Sequence, residues 1–502
     1  MSGSLTISFT DLSPAGWNAE PEATLIVFVG AALTFGPVST QLLRDLDSTL
    51  LIRAAAEEGF RGKADESMRL IINSRRVIFI GVGDGTLDPV ELGGRAAAVA
   101  GYAARFLIVV EFPQSSHYPT NAAAELALGF RLGSYSFDIY RTHKPEPQRP
   151  EQRWVTLLTR SVDADQVAYS RESAVAEGVE LARSLVNEPA NVLTPSEFAR
   201  RAGALGEAGI EVQILREKDL ERLGFRALLA VGKGSAEETH VAILRWNGAI
   251  DQNMAPCAFI GKGVCFDAGG LSIKSAEGMA EMKGDMAGAA CVTGLMLALA
   301  RRKAQINAIG AIGLVENMPG GKAQRPGDIV RSLSGQTIEV IDTDYEGRLV
   351  LADLLWHVQA KFRPSFMIDL ATLTYDVVTA VGHDRAGLFS NDDGIAKQLE
   401  HAASATGELV WRLPMGPNFD VEMNSEIADM RNADAPSGGA STAANFIQRF
   451  VNDVPWAHLD ISGPAHEVAK SSRSVGWATG WGVRLLDRLV RDLETTHDLS
   501  AR

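Results

Sequence analysis

Two short stretches of this 502-residue chain bring carboxylates, glycines and cations together in a way that a solvated surface does not explain. The first reads Gly261-Lys262-Gly263-Val264-Cys265-Phe266-Asp267-Ala268-Gly269-Gly270-Leu271-Ser272-Ile273-Lys274, followed by Lys283-Gly284-Asp285-Met286. The second reads Ile341-Asp342-Thr343-Asp344-Tyr345-Glu346-Gly347-Arg348-Leu349. Each sets carboxylates beside glycine at the end of an apolar run, with a cation a few residues away. Glycine lets the backbone approach a ligand closely and take positive φ. Carboxylates gathered at a strand end are costly unless a cation neutralises them. The pattern suits a metal-dependent active site.

Five residues have the chemistry for a divalent-metal cluster: Lys262, Asp267, Asp285, Asp344 and Glu346. No histidine lies among them, and the nine histidines of the chain are dispersed. Carboxylate-rich sites without thiolate favour Mg²⁺, Mn²⁺ or Zn²⁺. Four carboxylates exceed what one catalytic metal with an open position needs. Two metals about 3.5–4 Å apart, sharing bridging carboxylates, would use them all. A plainer reading competes: Asp-Gly-Gly is usually a turn, and Asp342, Asp344 and Glu346 suit the acidic start of a helix. Two such clusters at strand ends in one domain argue against coincidence, but spacing by itself leaves both readings open.

The elements that must position these residues follow from the periodicity. Up to about residue 160, apolar strand-like runs (residues 24–31, 77–83 and 106–110) alternate with helical stretches such as 121–130. We expect an α/β domain over residues 1–164, with a Pro-containing surface loop at 143–150. A connecting helix at 165–186 ends before Pro189, which disfavours helix at the residue preceding it. Residues 187–502 then form a second α/β domain. Strands are expected at 257–261, 306–314, 337–341, 366–370 and 458–461, and helices at 287–302, 346–361 and 441–452. Continuously apolar strands separated by crossover helices imply a mainly parallel sheet covered on both faces. Function in such sheets sits at the carboxyl ends of the strands, where Asp267 and Asp344 fall.

Composition narrows the classes. Lys and Arg total 48 against 62 Asp and Glu, a net −14 that repels nucleic-acid backbones and anionic membranes at long range. Three cysteines, Cys257, Cys265 and Cys291, sit in apolar runs and read as buried free thiols of a reducing compartment. No basic targeting segment opens the chain, and the apolar run at 24–31 is far too short to span a bilayer. A soluble cytoplasmic protein without nucleic-acid or membrane partners is expected.

Gly-Lys-Gly-x-x-Phe-Asp-x-Gly-Gly-x-Ser-x-Lys, then Asp-Met, then Thr-Asp-x-Glu-Gly-Arg-Leu resembles the leucyl (cytosol) aminopeptidases, a family of dinuclear metallopeptidases. The resemblance extends to Leu185–Asn191, Glu316–Ala323, Ala371–Thr374 and Trp456–Ile461, and is strong over residues 180–490. It implies a macro-like N-terminal domain, a C-terminal catalytic domain and release of N-terminal residues from short peptides. Lys262, Asp267, Asp285 and Glu346 would hold a tight metal, and Asp267, Asp344 and Glu346 an exchangeable one. The ions would be zinc or manganese, with magnesium or cobalt able to enter the exchangeable site. Lys274 would donate to the developing oxyanion, and Arg348 would hold bicarbonate as general base. The family's homohexamer is the implied assembly.

This chain departs from the family pattern at Asp342, usually Asn, at Tyr345, usually Ala, and at Tyr375, usually Gly. None removes a ligand, so substrate preference is what they bear on. The resemblance also leaves two rivals: a DNA-binding regulator, since some bacterial relatives double as DNA-binding factors, and a Cys-Gly-type dipeptidase. The run Gly81-Val82-Gly83-Asp84-Gly85-Thr86 is similar to a dinucleotide-binding turn but lacks its third glycine, so a plain loop is expected. There is no Gly-x-Ser-x-Gly elbow.

Overall fold

The computed structural model describes residues 4–43, 48–72, 74–83, 88–113, 121–143, 150–433, 438–466 and 477–500. Most of the loop expected at 143–150 and the end of the 81–86 run lie outside the described residues. The chain forms two compact units, one holding Met1–Ala176 and the other Glu177–Val468 with Trp477–Arg502. The long helix Val162–Asn187 runs through the division.

The first unit carries six strands: β1 (Ser4–Asp11), β2 (Thr24–Gly30), β3 (Ser67–Ile72), β4 (Arg75–Gly83), β5 (Arg105–Val109) and β6 (Gln152–Thr159). They form one sheet in the order β1-β6-β5-β2-β4-β3, parallel except where β3 pairs with β4 at the edge. Alternate residues of β2, β4 and β5 feed two cores. Ile26, Phe28, Ile78, Ile80, Phe106 and Ile108 pack on one face, and Leu25, Val27, Val77, Phe79, Leu107 and Val109 on the other. Burial on both faces explains why these strands read as continuous apolar runs.

The second unit is built on an eight-stranded sheet. Its strands are β7 (Glu211–Arg216), β8 (His240–Asn247), β9 (Cys257–Asp267), β10 (Asn307–Asn317), β13 (Phe366–Ala371), β14 (Arg385–Ser390), β15 (Leu409–Arg412) and β17 (Trp456–Asp460). Their order is β15-β14-β17-β13-β9-β10-β8-β7. The central four, β17-β13-β9-β10, run parallel, and antiparallel pairs flank them. The expected strand at 337–341 is corrected: β12 (Thr337–Glu339) leaves the main sheet and pairs with β11 (Ile329–Arg331) and β16 (Met430–Arg431) in a small one. Its run of alternating polar residues could not be buried on both faces of the main sheet.

Helix Gly347–Phe362 packs on one face of the main sheet through Leu349, Val350, Leu354 and Val358, against Ile260, Ile309, Ala311 and Trp456. Helix Ala287–Arg301 covers β13 and β9 from close range: a Cβ on Gly288 would fall 2.1 Å from the Leu370 carbonyl oxygen and 3.1 Å from Lys262 N. The segment Met279–Arg301 is long and apolar enough to cross a membrane, yet 83% of its apolar window is buried inside this unit. All three cysteines are buried free thiols, as expected.

The close approach at Gly288 is a point of low tolerance, since it sets how near the helix lies to β13 and β9. Gly288→Ala should destabilise the protein by about 1–3 kcal/mol, because the obstacle is backbone and cannot rotate away. Thermal unfolding of the full chain should show a midpoint several degrees lower. An unchanged midpoint would mean that β13 slides freely past the helix.

Candidate metal centre

Four parallel strands deliver the site. Asp267 is the last residue of β9, Asn317 ends β10, Thr372 follows β13, and Asp460 ends β17. Asp344 and Glu346 arrive on the turn that leads into helix Gly347–Phe362. Lys274 and Asp285 come from the segment between β9 and helix Ala287–Arg301. The rule that open α/β sheets work at their carboxyl ends is met.

The structure brings together Lys262, Asp267, Asp285, Asp344, Glu346 and Lys274. One carboxylate oxygen from each of Asp267, Asp344 and Glu346 lies within 4.8 Å of the others. Lys262 Nζ stands 2.8 Å from Asp285 Oδ1, 2.8 Å from Glu346 Oε1 and 2.8 Å from the Thr372 carbonyl oxygen. Lys274 Nζ stands 2.9 Å from Asp267 Oδ2 and 2.5 Å from Asp344 Oδ1. Lys262, Asp267, Asp285 and Glu346 are buried, while Lys274 and Asp344 are partly open to solvent.

Glu346 decides between the competing readings of its motif. It stands at the N-cap position of helix Gly347–Phe362 but makes no side-chain cap hydrogen bond. Its carboxylate turns to Lys262 instead. Asp342 is the turn former: its Oδ1 accepts the Asp344 backbone N–H at 2.9 Å. Asp267 does both jobs, since its Oδ1 accepts from Gly269 N at 2.9 Å and from Asn317 Nδ2 at 2.8 Å. Gly269 takes φ +88°, a backbone state that glycine adopts without steric cost.

A polar lattice ties the two motifs to one another. Thr343 Oγ1 donates to the Gly269 carbonyl at 2.6 Å and accepts from Ser272 N at 2.8 Å. Asn317 Nδ2 also donates to the Thr343 carbonyl at 3.0 Å. Asn432 accepts from Ile341 N at 2.7 Å and donates to the Asp342 carbonyl at 2.6 Å. On the far side, Thr372 Oγ1 donates to Asp285 Oδ1 at 2.7 Å, and Asp460 Oδ2 accepts from Thr374 Oγ1 at 2.7 Å. Sequence reasoning assigned no roles to Asn317, Thr343, Thr372, Asn432 and Asp460. For Asn317, Thr372 and Asp460 the signal was available: each is polar and lies at or just past the end of an apolar strand.

The electrostatics favour added cations. Four carboxylates against two ammonium groups leave a formal −2 in a largely buried site. Burial, then neighbouring carboxylates, push Asp344 up to about 7 and raise Glu346. Burial raises Asp285 well above the usual carboxylate range, against the pull of Lys262. Burial alone would lower the Lys262 amine, but Asp285, Glu346 and Asp267 outweigh it and hold it protonated. Lys274 is held up in the same way by Asp267, Glu346 and Asp344. Asp285 Oδ2 is buried with no hydrogen-bond partner among the described residues. An orphaned carboxylate oxygen beside three clustered carboxylates is a donor set that fits hard or borderline dications.

Arg348 lies in the first turn of helix Gly347–Phe362, only 2% exposed. Its guanidinium stacks on the Tyr345 ring at 4.6 Å and the Phe446 ring at 5.7 Å, and its Nη1 points to the Met423 sulfur at 3.9 Å. Tyr345 is thereby engaged with Arg348. Tyr375 opens helix Tyr375–Val381 and is 79% exposed.

Comparison with known proteins places this arrangement. The sequence matches the model of the cytosol aminopeptidase family, catalytic domain, over residues 180–487, and that of the same family's N-terminal domain over residues 26–144. A probable cytosol aminopeptidase of Methylorubrum populi is 50% identical over 501 residues, covering 98% of this chain and 99% of that protein. Among solved structures, a tomato leucine aminopeptidase variant is 31% identical, with a TM-score of 0.87 and 97% of each chain covered. The bottromycin maturation enzyme BotP in complex with Mn is 32% identical, with a TM-score of 0.83 over 94% of this chain and 99% of that one. With both of its domain models matched and a relative at 50% identity over nearly its whole length, the chain belongs to the cytosol aminopeptidase family, hydrolases of the leucyl aminopeptidase type.

Proposed function

We propose that this protein is a two-metal aminopeptidase that releases N-terminal residues, with a leucine-type preference, from short peptides. The observation that carries this reading is the meeting of Asp267, Asp344 and Glu346 within 4.8 Å, beside the orphaned Asp285 oxygen. Lys262, Asp267, Asp285 and Glu346 would hold the tight ion, and Asp267, Asp344 and Glu346 the exchangeable one. When bound, the ions (zinc or manganese, with magnesium or cobalt able to enter the exchangeable position) supply Lewis acidity that polarises a scissile carbonyl and acidifies water.

The chain's own residues then divide the remaining work. Lys262 is 3% exposed, so its ammonium survives only through the carboxylates around it. Cations drawing on those same carboxylates would remove that support and free its lone pair. Lys274 is the more open of the two lysines, with 24% of its side chain exposed. Released from Asp267 and Asp344, its ammonium would donate to the oxygen that gains charge as the carbonyl becomes tetrahedral. Arg348 would hold bicarbonate, whose oxygen would supply a general base. The Tyr345 and Phe446 rings shield that guanidinium from water. The 79% exposure of Tyr375 supports a ring turned away from the first side-chain pocket, and with it the leucine-type preference. The family's homohexameric assembly and a cytoplasmic setting complete the reading. A net charge of −14 supports a peptidase over a DNA-binding regulator.

Prolonged chelation should abolish peptidase activity, and Mn²⁺ or Zn²⁺ should restore it. Elemental analysis should show Asp285→Ala losing the tight ion and Asp344→Ala mainly the exchangeable one. Full activity in metal-free protein would remove the basis of the two-metal reading.

Lys274→Ala should lower kcat by about 10²–10³ with little change in KM and with both ions retained. A near-normal kcat would reduce Lys274 to an ion-pair partner of Asp267 and Asp344. In buffer freed of carbon dioxide, added bicarbonate should accelerate the wild type but not Arg348→Ala. An equal response in both would exclude Arg348 as the bicarbonate holder.

A further inference from the structure

Thr372 follows β13 and stands outside the set of metal ligands and catalytic cations, yet it touches two of those ligands at once. Its carbonyl accepts from Lys262 Nζ at 2.8 Å, and its Oγ1 donates to Asp285 Oδ1 at 2.7 Å. Lys262 Nζ reaches the same Asp285 oxygen at 2.8 Å. Both donors therefore land on Oδ1, and Oδ2 is left buried with none among the described residues.

That division matters because the two oxygens of an aspartate are equivalent and the group turns readily about its last bond. Lys262 holds Oδ1 with a charge-assisted bond only while its amine is an ammonium. A cation that claims the Lys262 lone pair removes that charge. The Thr372 hydroxyl is neutral and keeps its hydrogen whatever the state of Lys262. It can hold Oδ1 with or without an ion, so that Oδ2 is always the oxygen on offer. A neutral amine keeps two hydrogens beside its lone pair, and giving one to the Thr372 carbonyl sets the direction of that lone pair.

Thr372 is itself held from both sides. Before it, Ile461 N donates to the Ala371 carbonyl at 2.8 Å, continuing the pairing of β13 with β17. After it, the buried Asp460 carboxylate at the end of β17 accepts from Leu373 N at 3.2 Å and from Thr374 Oγ1 at 2.7 Å. The residues flanking Thr372 are fixed to the neighbouring strand, so its hydroxyl and carbonyl are presented by the sheet and not by a free loop.

We propose that Thr372 is a positioning residue for the tight ion: its hydroxyl turns Asp285 so that Oδ2 meets the ion, and its carbonyl aims the Lys262 lone pair. In this role it acts through Lys262 and Asp285 and needs no contact with substrate. The inference rests on the reading that Lys262, Asp267, Asp285 and Glu346 hold that ion.

The test is zinc binding by the full-length Asp344→Ala protein, in which the exchangeable ion is weakened and the tight one remains. Bound zinc per chain is counted by elemental analysis after equilibration against chelator-buffered free Zn²⁺. Adding Thr372→Val, which keeps the shape and removes the hydroxyl, should raise the free zinc needed for half-filling about 10–100-fold, while adding Thr372→Ser should leave it close to the Asp344→Ala value. Thr372 is partly open to solvent, so neither change threatens the fold. Adding Asp285→Ala should abolish the binding step. A step unmoved by Thr372→Val, or a Thr372→Ser protein as weak as the Thr372→Val one, would overturn the inference. A step that survives Asp285→Ala would instead overturn the reading of the tight site on which it rests.

Discussion

Mutual repulsion among Asp267, Asp285, Asp344 and Glu346 is the constraint on which the second unit is organised. Four carboxylates this close and this deep can remain ionised only if cations sit between them. Lys262 and Lys274 do this in the protein alone, each bridging two carboxylates at 2.5–2.9 Å. The compensation is partial: burial first, with the neighbouring carboxylates adding to it, still raises Asp285, Asp344 and Glu346. Such a cluster, left short of neutralising charge, supports the proposed placing of metal ions there. The two lysines also differ in burial, which is why the same charge serves one as floor and the other as mouth of the site.

Holding like charges together requires a rigid support, and the parallel sheet supplies it. The central strands end side by side, so Asp267, Asn317, Thr372 and Asp460 are placed by the ladder rather than by flexible loops. The Thr343 side chain then ties the second motif to the backbone of the first, and the Asn432 side chain holds the second motif's own backbone at Ile341 and Asp342. Beneath this layer, Asp369 accepts from Trp456 Nε1 at 2.6 Å and meets His458 Nδ1 at 2.6 Å, joining β13 to β17. Burial would lower the His458 imidazole, but Asp369 more than offsets it and raises it. Asp285 Oδ2, Asp344 Oδ1 and Glu346 Oε1 are among the buried atoms that accept no hydrogen bond from the described residues, and all three belong to the carboxylate cluster.

Much of this was readable in the chain. The two motifs named Lys262, Asp267, Asp285, Asp344 and Glu346, and continuous apolar runs marked β2, β4, β5, β9, β10, β13 and β17. Both signals are local: glycine beside carboxylate, and an unbroken apolar stretch, carry their meaning wherever they fold. The resemblance to the aminopeptidases was equally legible, because it is carried by intervals along the chain. The destination of residues 337–341 was not. A short run does not say whether it joins the main sheet or a small satellite sheet, since pairing partners come from distant sequence.

Tertiary structure decided which carboxylates face one another and which do not. Asp342 and Asp344 are two residues apart and chemically alike, yet one closes a turn and the other joins the cluster. Backbone geometry, not residue type, separates them. The same holds for the supporting residues Asn317, Thr343, Thr372, Asn432 and Asp460, brought together by strand register from across the second unit. The exposure of Tyr375 and the unpaired oxygen of Asp285 depend on what lies around them in space. Residue types and their spacing determined the chemistry this protein can carry. Only the packing of the sheet and its loops decided which groups are buried, paired or left waiting, because burial and pairing are relations between residues far apart in the chain.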